Sequence, residues 1–189
     1  MEAFTDGVVA IIITIMVLEL RPPSSDTAAG LLAAAPLFLA YALSFVNVGV
    51  FWNNHHHMLH VTERIDGRVL WANLFLLFWI SLIPFVIRWM GDAHFASLPT
   101  AAYGAVLAMC GVGYAALERT IIACNERNAA LATAVGDDIK AWISLGIYIV
   151  AMPLAFVSPW ISIALYVASA LMWFAPDRRI EAVVEAAGD

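Results

Sequence analysis

Three sets of polar side chains interrupt an otherwise apolar chain, and each has types and spacing that could do chemistry. Thr5, Asp6, Thr14 and Glu19 lie on the first apolar run, residues 4–20. Thr5 and Asp6 stand at its start, where a side-chain oxygen can cap free backbone N–H groups and a carboxylate suits the positive end of a helix. Thr14 sits mid-run and, at 100° per residue, shares a stripe with Ile11, Ile15 and Leu18. Its hydroxyl can either return to a carbonyl of its own preceding turn or face a polar passage. In the second run, Ser44, Asn47, Asn54 and His55 fall within about 100° of one another on a helical wheel, a face suited to hydrogen bonds between helices. His56, His60 and Glu63 follow at i, i+4 and i+7, a spacing that could set two imidazoles and a carboxylate on one metal ion or serve a hydrated membrane interface without metal. Asp6 with His55 could alternatively relay protons in a coupled carrier.

The elements that must position these residues are written in the composition. The chain has 189 residues, 63% of them hydrophobic and 13% charged, with mean hydropathy +0.86. That profile describes an all-α integral membrane protein, because a helical span needs about 20 apolar residues and the chain has room for roughly six with short connections. Spans are predicted at about 4–20, 31–54, 70–88, 101–119, 140–157 and 160–175, with a short tail at 177–189. Arg21-Pro22-Pro23 stops the first, since consecutive prolines cannot continue a helix. The second helix is expected to outlast its span, with no breaker before Asp66-Gly67. Pro84 is expected to kink the third, the fourth to continue toward Cys124, and Ser158-Pro159 to turn the last two into a tight hairpin. Met1-Glu2-Ala3 lacks the positive region of a secretory signal, so the first run is expected to be retained.

If both termini are cytoplasmic, Arg64, Arg68, Arg119, Arg127, Lys140, Arg178 and Arg179 lie inside and Arg21 and Arg88 outside, and that bias of the nine basic residues favours this orientation. The net charge of −6 without a Lys/Arg run speaks against a nucleic-acid partner. Cys110 and Cys124 have no ligand-pair spacing and read as small core residues. No phosphate loop, nucleophile elbow or carboxylate pair beside a nucleophile is present, so an enzyme is not indicated. Neither a Thr-Val-Gly-Tyr-Gly filter nor an arginine-rich voltage-sensing helix occurs. Without a convincing internal repeat, an oligomer is the natural way to build a path through the membrane.

Phe4-Thr5-Asp6-Gly7-Val8 resembles the Phe-Ser-Asp motif that opens the first helix in the prokaryotic potassium channels related to the lysosomal channel named transmembrane protein one-seven-five. Thr replaces Ser and keeps the hydroxyl. The continuation from Ile11 to Leu20, Trp52 with His55 and His56, and Asn73-Leu74 with Pro84-Phe85 are similar too. The likeness is strong from Phe4 to about Cys124 and rests on pattern alone thereafter. It implies a homotetramer of six-helix subunits in the plasma membrane, with cytoplasmic termini and the first helices lining a central pore. It further implies an apolar gate at Ile11, Ile15 and Leu18, a selectivity layer at Thr14, and a structural network of Phe4, Thr5, Asp6, Trp52 and His55. Family members usually carry an Arg four residues before the motif's Phe, a position that falls immediately before Met1.

The function so implied is a potassium-preferring cation channel whose apolar gate closes by excluding water, needing no cofactor, with potassium as its permeant ion. Its partners are other copies of the chain, membrane lipid and monovalent cations. Glu19, with Asp26 in the following loop, could concentrate cations at the outer mouth. The rival is a six-helix metal-binding protein or metal transporter using His56, His60 and Glu63.

Overall fold

The computed structural model describes residues 1–23, 25–60, 62–125 and 139–174. Arg127, Arg178, Arg179 and the tail at 177–189 lie outside them. Among the described residues there are seven helices and no strands: α1 (Glu2–Leu18), α2 (Ala28–His60), α3 (Gly67–Ser81), α4 (Ile83–Asp92), α5 (Ser97–Cys124), α6 (Ile139–Leu154) and α7 (Pro159–Phe174). Among the described residues three stretches are long and apolar enough to cross a membrane, namely α2, α3 with α4 taken together, and α5, while α6 and α7 are shorter apolar helices.

The boundaries follow from backbone chemistry. α1 stops at Leu18, with Glu19 and Leu20 donating back to Ile15 and Val17 before the Arg21-Pro22-Pro23 stretch. α2 outlasts its span as expected and ends at His60, before Asp66-Gly67, and Thr62 folds its hydroxyl onto the Met58 carbonyl 2.7 Å away, occupying an acceptor the helix end leaves free. Asp66 restarts the chain as an N-cap, its carboxylate accepting from the Arg68 and Val69 amides at 2.9 and 3.0 Å. The predicted kink in the third span is a break at Leu82. Pro84 has no N–H for the Ile80 carbonyl, so Leu82 donates to Trp79 in a tighter turn and α4 starts with Pro84 in its first turn. Asn125 then closes α5 onto the α2–α3 linker, exchanging hydrogen bonds with the Arg64 backbone at 2.9 and 3.0 Å.

Helix α5 is the hub, packing against α3, α4, α6 and α7. Small residues let its neighbours close in. A Cβ on Gly113 would lie 3.0 Å from the Leu76 Cα of α3, and the missing side chain at Gly104 is where the Tyr166 hydroxyl from α7 enters to donate to the Thr100 carbonyl at 3.1 Å. The α4–α5 corner carries His94 and Phe95 at φ 50° and 59°, left-handed backbone that costs about 1–2 kcal/mol per residue. Phe95 is held there by a backbone bond to Met90 at 2.8 Å and by stacking on Trp160. The last two helices form the expected hairpin, closed by three polar rungs: Ser162 to the Ala151 carbonyl (2.7 Å), Ser169 to Tyr148 (3.1 Å) and Trp173 to Ser144 (3.0 Å).

Candidate functional site

α1 packs against α2, α3 and α4 with one face only. Thr5, Val9, Ile12 and Met16 are buried, and on a 100° wheel they span a sector of about 60°. Phe4, Gly7, Ile11, Thr14, Ile15 and Leu18 fall in the opposite sector and are uncovered. Ile11 is 59% exposed and Leu18 80%, the latter the most exposed large apolar side chain of the described residues. A helix fully embedded in one subunit would bury both faces, and this one leaves an apolar stripe interrupted only by Gly7 and Thr14. The Thr14 hydroxyl donates to the Ile11 carbonyl at 2.8 Å, the return to its own preceding turn, which leaves its oxygen lone pairs directed away from that bond.

The motif residues at the start of α1 do not cap it. The helix begins at Glu2 with Met1 as N-cap, so Thr5 and Asp6 already sit within it and reach other helices instead. Thr5 is buried and accepts from the Asn73 side-chain amide of α3 at 3.1 Å. The Asn73 carbonyl oxygen faces His55 Nε2 of α2 at 2.7 Å, so Nε2 bears the hydrogen of that bond. Asp6 accepts from Trp52 Nε1 at 2.7 Å. Four of the five residues expected to form a structural network are thus hydrogen-bonded within one region, and Asn73, 2% exposed, is the hub joining α1, α2 and α3. Phe4 stands apart from it, 58% exposed on the open stripe.

The predicted polar face of α2 divides between partners. Ser44 and Asn47 meet the Tyr103 hydroxyl of α5 at 2.8 and 3.4 Å, His55 joins Asn73, and Asn54 lines a small cavity of about 30 Å³ beside Ser144 and Tyr148. His56, His60 and Glu63 do not form the cluster that their spacing suggested. Because α2 ends at His60, Glu63 leaves the helical register that the metal spacing assumed. His56 instead pairs with Glu2 at 3.0 Å and stacks between the rings of Trp52 and His60. Among the described residues no three of His, Cys, Asp and Glu are placed to share a metal ion.

At the other end of α1, Glu19 does not stand free in solvent. It is ion-paired and hydrogen-bonded to Arg88 of α4, which also meets Asp92 at 3.6 Å, and Asp92 meets Arg21 at 3.7 Å. Two acids and two bases compensate one another there, so the expected attraction of cations by Glu19 loses its basis.

An uncovered apolar helix face, polar ties at both of its ends and apolar helices of spanning length behind it define an integral membrane protein. Comparison with known proteins gives the particular family. The sequence model of the endosomal/lysosomal potassium channel TMEM175 matches residues 1–84. A potassium channel of Chryseobacterium sp. (strain P1-3) is 47% identical over 181 residues, covering 96% of this chain and 94% of the relative, and a potassium channel of Streptomyces collinus is 30% identical over 124 residues, covering 61% and 60%. The crystal structure of a lysosomal potassium-selective channel TMEM175 homolog from Chamaesiphon minutus superposes with a TM-score of 0.76 at 26% identity, covering 91% of this chain and 93% of that one. The chain belongs to the TMEM175 family of potassium channels.

Asn73 and Arg88 are the two positions whose weight the sequence reading underestimated. Each is a lone polar group in or beside an apolar run, a position that must find a partner in a membrane. The partners lie 68 and 69 residues away along the chain, at Thr5 and Glu19.

Proposed function

We propose that the chain forms a passive, potassium-preferring cation channel, a homotetramer of six-span subunits whose α1 helices surround a central pore. The observation that carries this reading is the one-sided packing of α1. Its motif face is fastened to α2 and α3, and the stripe of Phe4, Gly7, Ile11, Thr14, Ile15 and Leu18 is left for other copies of itself. The family relationship supports the ion, and the basic-residue bias supports cytoplasmic termini in the plasma membrane.

In this arrangement rings of Ile11, Ile15 and Leu18 close the path by excluding water, since an ion stripped of its hydration gains nothing from isoleucine or leucine in return. Opening requires the ring to widen. The Thr14 layer is the one polar step on the stripe, and its oxygens, with their hydrogens turned back to the Ile11 carbonyl, can face a cation as acceptors. Four hydroxyls replace only part of a hydration shell, so discrimination between potassium and sodium is modest. No cofactor enters the mechanism.

Potassium and sodium fluxes into proteoliposomes at a fixed membrane potential test the reading. Ile11→Ala is expected to raise flux of both ions, and Thr14→Val to lower the potassium-to-sodium ratio. Unchanged flux for Ile11→Ala in oligomers of wild-type size would remove the gate from α1.

A further inference from the structure

α1 leaves the protein through a short chain of charges. Glu19, its C-cap residue, binds Arg88, Arg88 binds Asp92 one turn further along α4 at 3.6 Å, and Asp92 binds Arg21 at 3.7 Å. α4 is a firm post for this chain, because Ile83, Val86, Ile87 and Met90 bury its other faces against the bundle. The last turn of α1 has no comparable anchor. Val17 and Leu18 are exposed, and Met16 is its only buried side chain beyond Ile12. Without the charges, the last two turns of the helix would be held by Met16 and the partly buried Ile13 alone.

From this geometry we infer that Arg88, with Asp92, is a positioning residue for the pore helix, a clamp that draws the outer end of α1 back toward α4 and stops it from wandering across the axis with its Leu18 ring. The inference rests on the reading of α1 as the pore-lining helix. The direction follows from the partner: Glu19 falls at about 100°, at the edge of the packed sector near 120–180°, and its tie runs to α4, one of the three helices that cover that sector, so it pulls the helix end toward the bundle and not toward the open stripe. The pair is partly exposed, with 27% of the Glu19 and 48% of the Arg88 side chain accessible, so one tie shifts an equilibrium by only about 1.8-fold. Four subunits moving together multiply that to about tenfold.

The test uses Glu19→Gln, Arg88→Gln, their combination, and the exchanged pair Glu19→Arg with Arg88→Glu, each in the full chain. Two readouts are taken: potassium flux in proteoliposomes, and the mobility of a spin label at Leu18→Cys, with a label at Gly7→Cys as the control near the opposite end. The clamp predicts that either neutralisation lowers flux about tenfold and loosens the label at Leu18 but not at Gly7. The combination should do no more than either alone, and the exchanged pair should recover both signals. Additive effects, or a Leu18 label that stays immobile in the neutralised variants, would overturn the clamp. A label that loosens while flux stays at wild-type level would overturn its role in the pore. Ile11→Ala, measured beside them, separates the two ideas: if it leaves flux unchanged while the label pattern holds, the clamp stands as an anchor of α1 and the pore reading is what fails.

Discussion

Asn73→Leu removes the hub between α1, α2 and α3 while keeping the number and branching of its side-chain heavy atoms, so its cost reports mainly the lost hydrogen bonds. The structure shows two strong ones: 2.7 Å from His55 Nε2 to the Asn73 oxygen and 3.1 Å from the Asn73 amide to Thr5. Interhelical bonds in membranes average about 0.6 kcal/mol, which gives a floor of about 1.2 kcal/mol. Thr5 and His55 are each only 2% exposed, however, so water cannot replace the lost partner. The stranded His55 N–H adds about 1 kcal/mol or more, since the Thr5 hydroxyl can rotate to a carbonyl of its own helix and the imidazole cannot. The expected loss is about 2–3 kcal/mol, read as the shift in the unfolding midpoint when sodium dodecyl sulfate is titrated into mixed micelles. Thr5→Val alone should cost about 0.6 kcal/mol, and adding it to Asn73→Leu should cost almost nothing further, because its partner has already gone. A loss below about 0.5 kcal/mol for Asn73→Leu, or strict additivity with Thr5→Val, would refute the network as a determinant of how α1 is held.

Two further outcomes follow from packing and from the linker. Gly113→Val places methyl groups where α3 and α5 nearly touch, the Leu76 Cα being 3.0 Å from the position of a Cβ, so it should destabilise by about 1–3 kcal/mol in the same titration, whereas Gly49→Ala, with open space around it, should change little. Asn125→Ala breaks the three side-chain bonds that hold the Arg64 backbone and the Ile121 carbonyl, so trypsin should cut after Arg64 severalfold faster than in the wild type, with the cleavage site read by mass spectrometry.

Legibility in the sequence varied with the range of the interaction. Signals that act within a few residues were readable: Arg21-Pro22-Pro23 follows the end of α1, Asp66-Gly67 separates α2 from α3, Pro84 disrupts the third span, and Ser158-Pro159 turns the hairpin. Thr5 and Asp6 misled as caps because the cap types and the types that reach across to another helix are the same, and only the position of the first turn tells them apart. The metal spacing at His56, His60 and Glu63 assumed a helix that Thr62 helps to end. Helix faces were hidden for a different reason. With apolar residues on all sides, hydrophobic periodicity carries no orientation, and the open stripe of α1 emerges only once Val9, Ile12 and Met16 are seen to be covered. The partners of Asn73 and Glu19 belong to tertiary structure and leave no trace in local spacing.

Cysteine scanning of α1 tests the central claim most directly. With Cys110 and Cys124 replaced by Ala, single cysteines at Ile11, Ile15 and Leu18 are compared with one at Phe85, which is equally uncovered but lies on α4. Potassium flux is then followed during treatment with a positively charged thiol reagent. The account predicts that cysteines at the three stripe positions lose flux on modification and are protected when potassium is raised, while the Phe85→Cys channel is indifferent. Block at Phe85→Cys with none along α1 would contradict it and place the ion path on another helix.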